Sequence, residues 1–247
     1  MFRTRFAPTP SGYLHLGNLL NLSLTKTIAT TQHGEFGLRL DVWDSERIRV
    51  EYLSSVFEAL NWLEIKPTFG PRNLSEIEAE TTTKIVAETR RLLPQLLQMP
   101  AVFVCECSRT QLAAGRCVRA CIDKKLDLSP NAAVLRIATD STDEVLWRRD
   151  DIPSYHLASC YEDAVLEITH VVRGQDLAES SKLHEELNTV LGLPSIKYVH
   201  HPLLTDSTGI KLSKSQHAEG AVYNEQNKAL LDRLTEKFLP ELLEQLR

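Results

Sequence analysis

A four-residue segment, Arg3 to Phe6, is followed at once by Pro8, Pro10 and the pair Ser11-Gly12, and then by an apolar run from Leu19 to Ile28. Proline cannot donate into a sheet ladder and Ser-Gly favours a turn, so this text reads as strand, turn, helix. The pattern then repeats. Phe36-Gly37-Leu38-Arg39-Leu40-Asp41-Val42-Trp43 predicts a second buried strand, and Val56, Phe57, Leu60 and Leu63 hold helical spacing between Ser54 and Leu63. Strands alternating with helices fold as a doubly wound α/β domain, a parallel sheet with helices on both faces.

Residues 71–151 break the alternation and read as an insertion between a first half, 1–70, and a second half, 152–247. The insertion holds a long helical stretch from Ile77 to Leu97, strands at Val102 to Val104 and Ala133 to Ile137, and a cluster of cysteines. The alternation resumes with Tyr155 to Ala158, Ile168 to Val172, a helix from Leu177 to Leu191 and a strand from Lys197 to His200. A last helix, Asn224 to Leu246, places Leu230, Leu231, Leu234, Phe238, Leu242 and Leu246 near one face. A chain of 247 residues suffices for one sizeable core with a small inserted module.

With 43% hydrophobic and 25% charged residues the composition is that of a soluble globular domain, and no apolar run approaches the roughly 20 residues of a membrane span. The start leads into Ala7-Pro8-Thr9-Pro10 rather than an apolar signal core, so a cytoplasmic protein is expected. The net charge of -5 excludes a uniformly basic surface and is silent on RNA, which responds to the local field. Nothing in the pattern fixes an oligomeric state.

Two short motifs point to nucleotide chemistry. His15-Leu16-Gly17-Asn18 occupies the first strand-to-helix turn, the usual phosphate site of such a sheet. There a glycine admits backbone N–H groups to a phosphate, the helix start carries partial positive charge, and an imidazole donates to polyphosphate oxygens. Lys211-Leu212-Ser213-Lys214-Ser215 sits in a polar loop, with two ammonium groups placed to stabilise charge on a departing pyrophosphate. Either motif alone is weak. Their order, and their separation by about one nucleotide-binding fold, make the chain resemble the catalytic core of a class I aminoacyl-tRNA synthetase, with its Rossmann-like domain. That resemblance implies adenylate formation from ATP, with His15, Lys211 and Lys214 as the catalytic groups and Gly17, Asn18, Leu212 and Ser213 also at the nucleotide. Mg²⁺ is expected to accompany the ATP.

The match narrows at Arg5-Phe6-Ala7-Pro8-Thr9-Pro10-Ser11-Gly12, Arg39 to Arg47, Tyr155-His156-Leu157-Ala158, Val172-Arg173-Gly174-Gln175-Asp176-Leu177 and His200-His201-Pro202-Leu203. These resemble glutamyl-tRNA synthetases and their shortened relatives, the glutamyl-Q tRNA(Asp) synthetases. The resemblance implies an amino-acid pocket of Arg5, Thr9, Asp41, Tyr155 and Arg173, with the arginines pairing with glutamate's carboxylates and Tyr155 donating its hydroxyl. Arginine suits that task because its fork binds carboxylate in bidentate fashion. Asp41 departs from the family, which has glutamate there to receive the substrate's α-ammonium; one methylene fewer withdraws the carboxylate by roughly 1.5 Å. Val42 stands where the family has aspartate, and Trp43 where it has a smaller residue.

Cys105, Cys107, Cys117 and Cys121 form a C-x-C-x9-C-x3-C pattern, enough thiolates to close a tetrahedral structural zinc site. Free thiols, or a site that has lost its metal, are the other readings; related enzymes place a similar cluster in this insertion. Cys160 stands apart, as a core residue. Only 32 residues follow Ser215, whereas glutamyl-tRNA synthetases continue into anticodon-reading helical domains. The shortened relatives activate glutamate without tRNA and transfer it to queuosine in the anticodon loop of tRNA(Asp), the acceptor expected here. Asp41, Val42 and Trp43 leave two other readings open: a stand-alone paralogue loading another amino acid or acceptor, and a non-catalytic nucleotide- or RNA-binding relic.

Overall fold

The computed structural model describes residues 1–43, 48–77, 81–113, 115–117, 120–139, 142–204 and 220–247. In chain order the elements begin with strand β1 (Arg3–Phe6), helix α1 (Leu16–Thr31), β2 (Glu35–Leu38) and α2 (Val50–Trp62). Next come α3 (Thr81–Arg90), α4 (Leu93–Leu96), β3 (Val102–Cys105), β4 (Leu112–Ala113), β5 (Arg116–Cys117), β6 (Val134–Ala138) and β7 (Asp143–Trp147). The chain ends with α5 (Tyr155–Val165), β8 (His170–Gly174), α6 (Ala178–Leu191), β9 (Lys197–His201) and α7 (Glu225–Gln245). Two compact units result: Met1–Thr81 with Glu167–Ser181 and Ser195–Arg247, and Thr82–Leu166 with Lys182–Pro194.

In the first unit β1 pairs parallel with β2, and β8 parallel with β9. The two pairs are stitched by Thr169 N donating to Arg3 O at 3.0 Å and Arg3 N donating to Thr169 Oγ1 at 2.9 Å. Helix α1 supplies the crossover from β1 to β2, and it is buried at Leu19, Leu20, Leu22, Leu24 and Ile28. So many buried positions exceed a single amphipathic stripe. Both sides are covered: the core around α1 includes Phe6, Phe36, Leu38, Val172 and Val199 of the strands and Leu231 and Leu242 of α7. Ser23 and Thr235 join α1 to α7 through their hydroxyls at 2.9 Å.

Strand β2 is shorter than the expected Phe36–Trp43, and the reason lies in its neighbour. Arg39 N still donates to Phe6 O at 2.9 Å and Asp41 N to Pro8 O at 3.4 Å. The reciprocal bonds of a parallel ladder would come from the nitrogens of Pro8 and Pro10, which carry no hydrogen. Leu40 to Trp43 therefore leave the sheet, with Val42 N turning back onto Leu40 O. The helical stretch expected at 77–97 is likewise divided, into α3 and α4, because Pro94 stands in the first turn of α4 and cannot continue a helix from α3.

The second unit carries an antiparallel sheet of order β3-β6-β7, a hairpin of β4 and β5, and a core that includes Leu96, Leu135, Ile137, Trp147, Leu157 and Leu187. Tyr155 opens α5 immediately after Ser154, whose hydroxyl accepts from Leu157 N and caps the helix. Among the described residues no helix is long and apolar enough to cross a membrane.

Strands β8 and β9 carry three imidazoles, His201 buried and His170 and His200 partly buried. His170 stacks on Phe2 at 4.2 Å; His201 donates Nδ1–H to Pro202 O at 2.8 Å and receives the Asn21 side-chain amide on Nε2 at 3.2 Å. Burial holds His170, His200 and His201 below the ordinary histidine range; nearby cations, Lys197 for His170 and Arg173 for His200, push the same way. An imidazole that protonates more readily in the unfolded chain leaves stability intact above about pH 6.5 and removes it as pH falls below that value. The melting temperature is expected to drop by about 2–6 °C between pH 7.5 and 5.5. His201→Gln, which keeps an acceptor for Asn21 and takes no proton, should flatten that dependence in a pH series of melting curves.

Candidate functional site

The turn before α1 is built around His15. Its backbone is extended (φ -102°, ψ 170°), and its Nδ1 accepts the Gly17 N–H at 3.0 Å while Asn18 Oδ1 accepts the His15 N–H at 3.1 Å. This is a reciprocal capping box with an imidazole in the place of a hydroxyl. Because Nδ1 is an acceptor, the imidazole proton sits on Nε2, which makes that atom a donor. Gly17 is required by the imidazole itself: a Cβ there would meet His15 Cε1 at 2.9 Å and Nδ1 at 3.0 Å.

Lys211, Leu212, Ser213 and Lys214 lie outside the described residues. The chain on either side is placed. Leu203 approaches Gly174 at the end of β8, where an added Cβ would meet its Cδ2 at 3.0 Å. Gly220 lies against Tyr13 with φ +79°, and Ala221 N donates to Leu14 O at 2.8 Å. The described residues on either side of 205–219 thus lie at the carboxyl end of β8, through Leu203, and beside the His15 turn, through Gly220 and Ala221. In an open parallel sheet these are the ligand-binding ends of the strands.

Arg5, Asp41 and Arg173 come from the same ends of β1, the chain beyond β2, and β8. Asp41 is 1% exposed, and its carboxylate accepts from Arg39 Nε at 2.9 Å and from the Thr9 hydroxyl at 3.4 Å. Arg39, which the sequence left without a role, is thus the group that fixes Asp41; two residues' separation on one strand was the available signal. Arg173 is 4% exposed, and its guanidinium lies 4.9 Å from the centre of the Tyr198 ring and donates from Nη1 to Ser181 Oγ at 3.5 Å. Its Nε is buried and unpartnered, and among the described residues no carboxylate lies within ion-pair distance of it. A buried cation without a counter-ion is costly to maintain. Tyr155 stands in the second unit, its ring beside those of His156 and His184.

The four cysteines of the cluster converge in the second unit, with all four sulfurs within 4.8 Å of one another. Cys107 Sγ is 3.7 Å from that of Cys117 and 3.8 Å from that of Cys121. A disulfide needs about 2.05 Å. A tetrahedral zinc with bonds of about 2.3 Å has sulfur-to-sulfur edges near 3.8 Å, so the spacing fits the metal and leaves no open position for a substrate. Burial, and then the neighbouring thiols, push Cys107 up to about 12, and burial also raises Cys121. Such thiols gain from a dication that stabilises them as thiolates. Around them Cys107 N donates to Cys105 Sγ at 3.4 Å, and Asp143 Oδ2 accepts from Cys117 N at 2.7 Å. Cys160 is buried in the core of the same unit, away from the cluster.

Comparison with known proteins supplies the family. The model for tRNA synthetases class I (E and Q), catalytic domain, matches residues 1–121 and 114–235. A glutamyl-Q tRNA(Asp) synthetase of Methylococcus capsulatus is 36% identical over 242 residues, which cover 88% of this chain and 77% of that protein. A glutamate–tRNA ligase of Synechococcus sp. (strain CC9605) is 29% identical over 258 residues, covering 87% of this chain and 52% of the ligase. The chain thus spans about half the length of the glutamate–tRNA ligases it matches. The crystal structure of the glutamate-tRNA synthetase from Elizabethkingia anophelis superposes with a TM-score of 0.73 at 22% identity, over 87% of this chain and 53% of that one, and shows the shared fold. The α/β sheet with its helices is therefore the Rossmann-like catalytic domain of a class I synthetase, and the chain belongs to the class I tRNA synthetases of the E and Q group, a family of ligases.

Proposed function

We propose that this chain activates glutamate with ATP, without tRNA, and transfers the glutamyl group to queuosine in the anticodon loop of tRNA(Asp). The observation that carries the reading is Arg173: a buried guanidinium over the Tyr198 ring, its Nε without a hydrogen-bond partner and with no carboxylate among the described residues within ion-pair distance, suits a carboxylate supplied by a ligand. Arg5, also buried, stands on the adjoining strand β1 as a second cationic group for a dicarboxylic substrate. Asp41, held by Arg39 and Thr9, receives the α-ammonium.

In the activation step a carboxylate oxygen of the amino acid attacks the α-phosphorus of ATP in line, and the bond to the bridging oxygen breaks to release pyrophosphate. No side chain acts as nucleophile. His15 donates from Nε2 to a phosphate oxygen at the start of α1, and Lys211 and Lys214 stabilise charge on the departing pyrophosphate. Mg²⁺ neutralises phosphate charge when it arrives with the nucleotide. The acceptor reading rests on the names of relatives at 36% and 34% identity, which this chain spans over three quarters of their length.

ATP–pyrophosphate exchange across a panel of amino acids tests activation; glutamate is expected to support it without added tRNA. Lys214→Ala should lower the exchange rate by about 10²–10³ while leaving the KM for glutamate within a few-fold. An unchanged rate in that variant would sink the assignment. Transfer of labelled glutamate to tRNA(Asp) with and without queuosine tests the acceptor, and equal labelling of both overturns it.

Zinc at Cys105, Cys107, Cys117 and Cys121 is part of the same proposal, as a brace for the second unit. Metal analysis is expected to give about one zinc per chain, and close to none in Cys107→Ser. Chelation should lower the melting temperature of the unit that carries β3 to β7.

A further inference from the structure

Among the described residues the Arg173 guanidinium has one hydrogen bond, a long one, and yet its plane must be fixed if it is to meet a carboxylate in bidentate fashion. Strand register supplies the first constraint. Arg173 on β8 pairs directly with His200 on β9, so the two side chains leave the same face of the sheet, with Tyr198 two residues earlier on that face. The Tyr198 ring, with its centre 4.9 Å from the guanidinium carbon, supports one side of the group but does not fix its rotation.

Ser181 supplies what the ring does not. Its hydroxyl donates to Leu177 O at 3.1 Å and accepts from His200 Nε2 at 2.8 Å and from Arg173 Nη1 at 3.5 Å. One donor and two acceptor positions are all that a hydroxyl has, so its orientation is fully determined. Since the hydroxyl hydrogen goes to Leu177, His200 must present its proton on Nε2. His200 is held in turn by Gln245 in the last turn of α7. The Gln245 amide accepts the His200 N–H through Oε1 at 2.9 Å and donates through Nε2 to His200 O at 3.1 Å. That amide satisfies the free edge of β9 as a further strand would.

We propose that Gln245, His200 and Ser181 form a positioning chain that orients the Arg173 guanidinium, presenting its Nε edge to a carboxylate of the amino-acid substrate. The inference rests on the reading of Arg173 as the carboxylate-binding group. It gives the terminal helix α7 a part in amino-acid recognition, through a side chain that lies behind the guanidinium and has no need to touch the substrate. None of the three is a catalytic residue.

Exchange kinetics with the two substrates varied separately provide the test. Ser181→Ala is expected to raise the KM for the amino acid about tenfold while the KM for ATP and kcat stay within about twofold. Ser181→Thr keeps the hydroxyl and should restore the amino-acid KM to within about threefold of the parent. Gln245→Leu, further back along the chain, should raise it about three- to fivefold. A merely structural role would move both KM values and the melting temperature together, and that result overturns the proposal. So does an amino-acid KM within twofold of the parent in Ser181→Ala while the parent protein is active. A parent protein that supports exchange with no amino acid overturns the functional reading and this inference with it. Should Ser181→Ala not fold, Gln245→Leu carries the same comparison.

Discussion

Replacing Arg173 by leucine is expected to lower kcat/KM for the amino acid by about 10³ while leaving the melting temperature unchanged or higher. The two halves of that result have one cause. Burying a guanidinium costs several kcal/mol, and in an ordinary protein core an acidic partner offsets the loss. Arg173 is 4% exposed and among the described residues has a ring face and a distant hydroxyl but no carboxylate partner. The free protein therefore bears a cost that a substrate carboxylate would remove in the proposed function, and a leucine of smaller polarity relieves that cost while abolishing the fork. Arg173→Lys keeps the charge but loses the planar fork and its bidentate geometry, and should lose about 10². The KM for ATP should hold within a few-fold in both variants. A clear drop in melting temperature with normal exchange would mean that Arg173 is a structural residue, and the carboxylate assignment would fall.

The parts of this fold that were legible in the sequence are those governed by local rules. Prolines and a Ser-Gly turn marked the end of β1, and the apolar run marked α1. The extent of β2 is not legible in β2 itself: Phe36 to Trp43 is apolar enough for a longer strand, but its partner offers Pro8 and Pro10 where N–H donors are needed. Pro94 was visible, and its effect on the 77–97 helix could have been read directly. The groups around Arg173 could not. Ser181, His200 and Gln245 belong to α6, β9 and α7, and only the parallel register of β8 with β9 brings them together. Arg39 is the intermediate case, since its alternation with Asp41 hinted at an ion pair that the strand alone did not require. The convergence of the four cysteines was legible by spacing, because two close pairs separated by nine residues can fold back on each other and bring four sulfurs together.

His15 offers the sharpest separation of fold from chemistry, because one imidazole has two tasks. Nδ1 caps α1 by accepting the Gly17 N–H, and Nε2 is the donor directed to phosphate in the proposed reaction. His15→Ala removes both, so kcat for exchange should fall by about 10²–10³ and the melting temperature by a few degrees, as loss of a helix cap costs about 1 kcal/mol. His15→Asn divides the two. Asparagine is among the best capping residues, and its side-chain oxygen can take the Gly17 N–H in the imidazole's place. Its amide is too short to reach the Nε2 position, so the cap returns and the phosphate donor does not. The expected result is a parental melting temperature with activity as low as that of the alanine variant. If His15→Asn instead regained most of the activity, the imidazole would be only a cap. The phosphate would then be held by the α1 N-terminus and the 205–219 lysines alone, and the turn would act through its backbone rather than through its histidine.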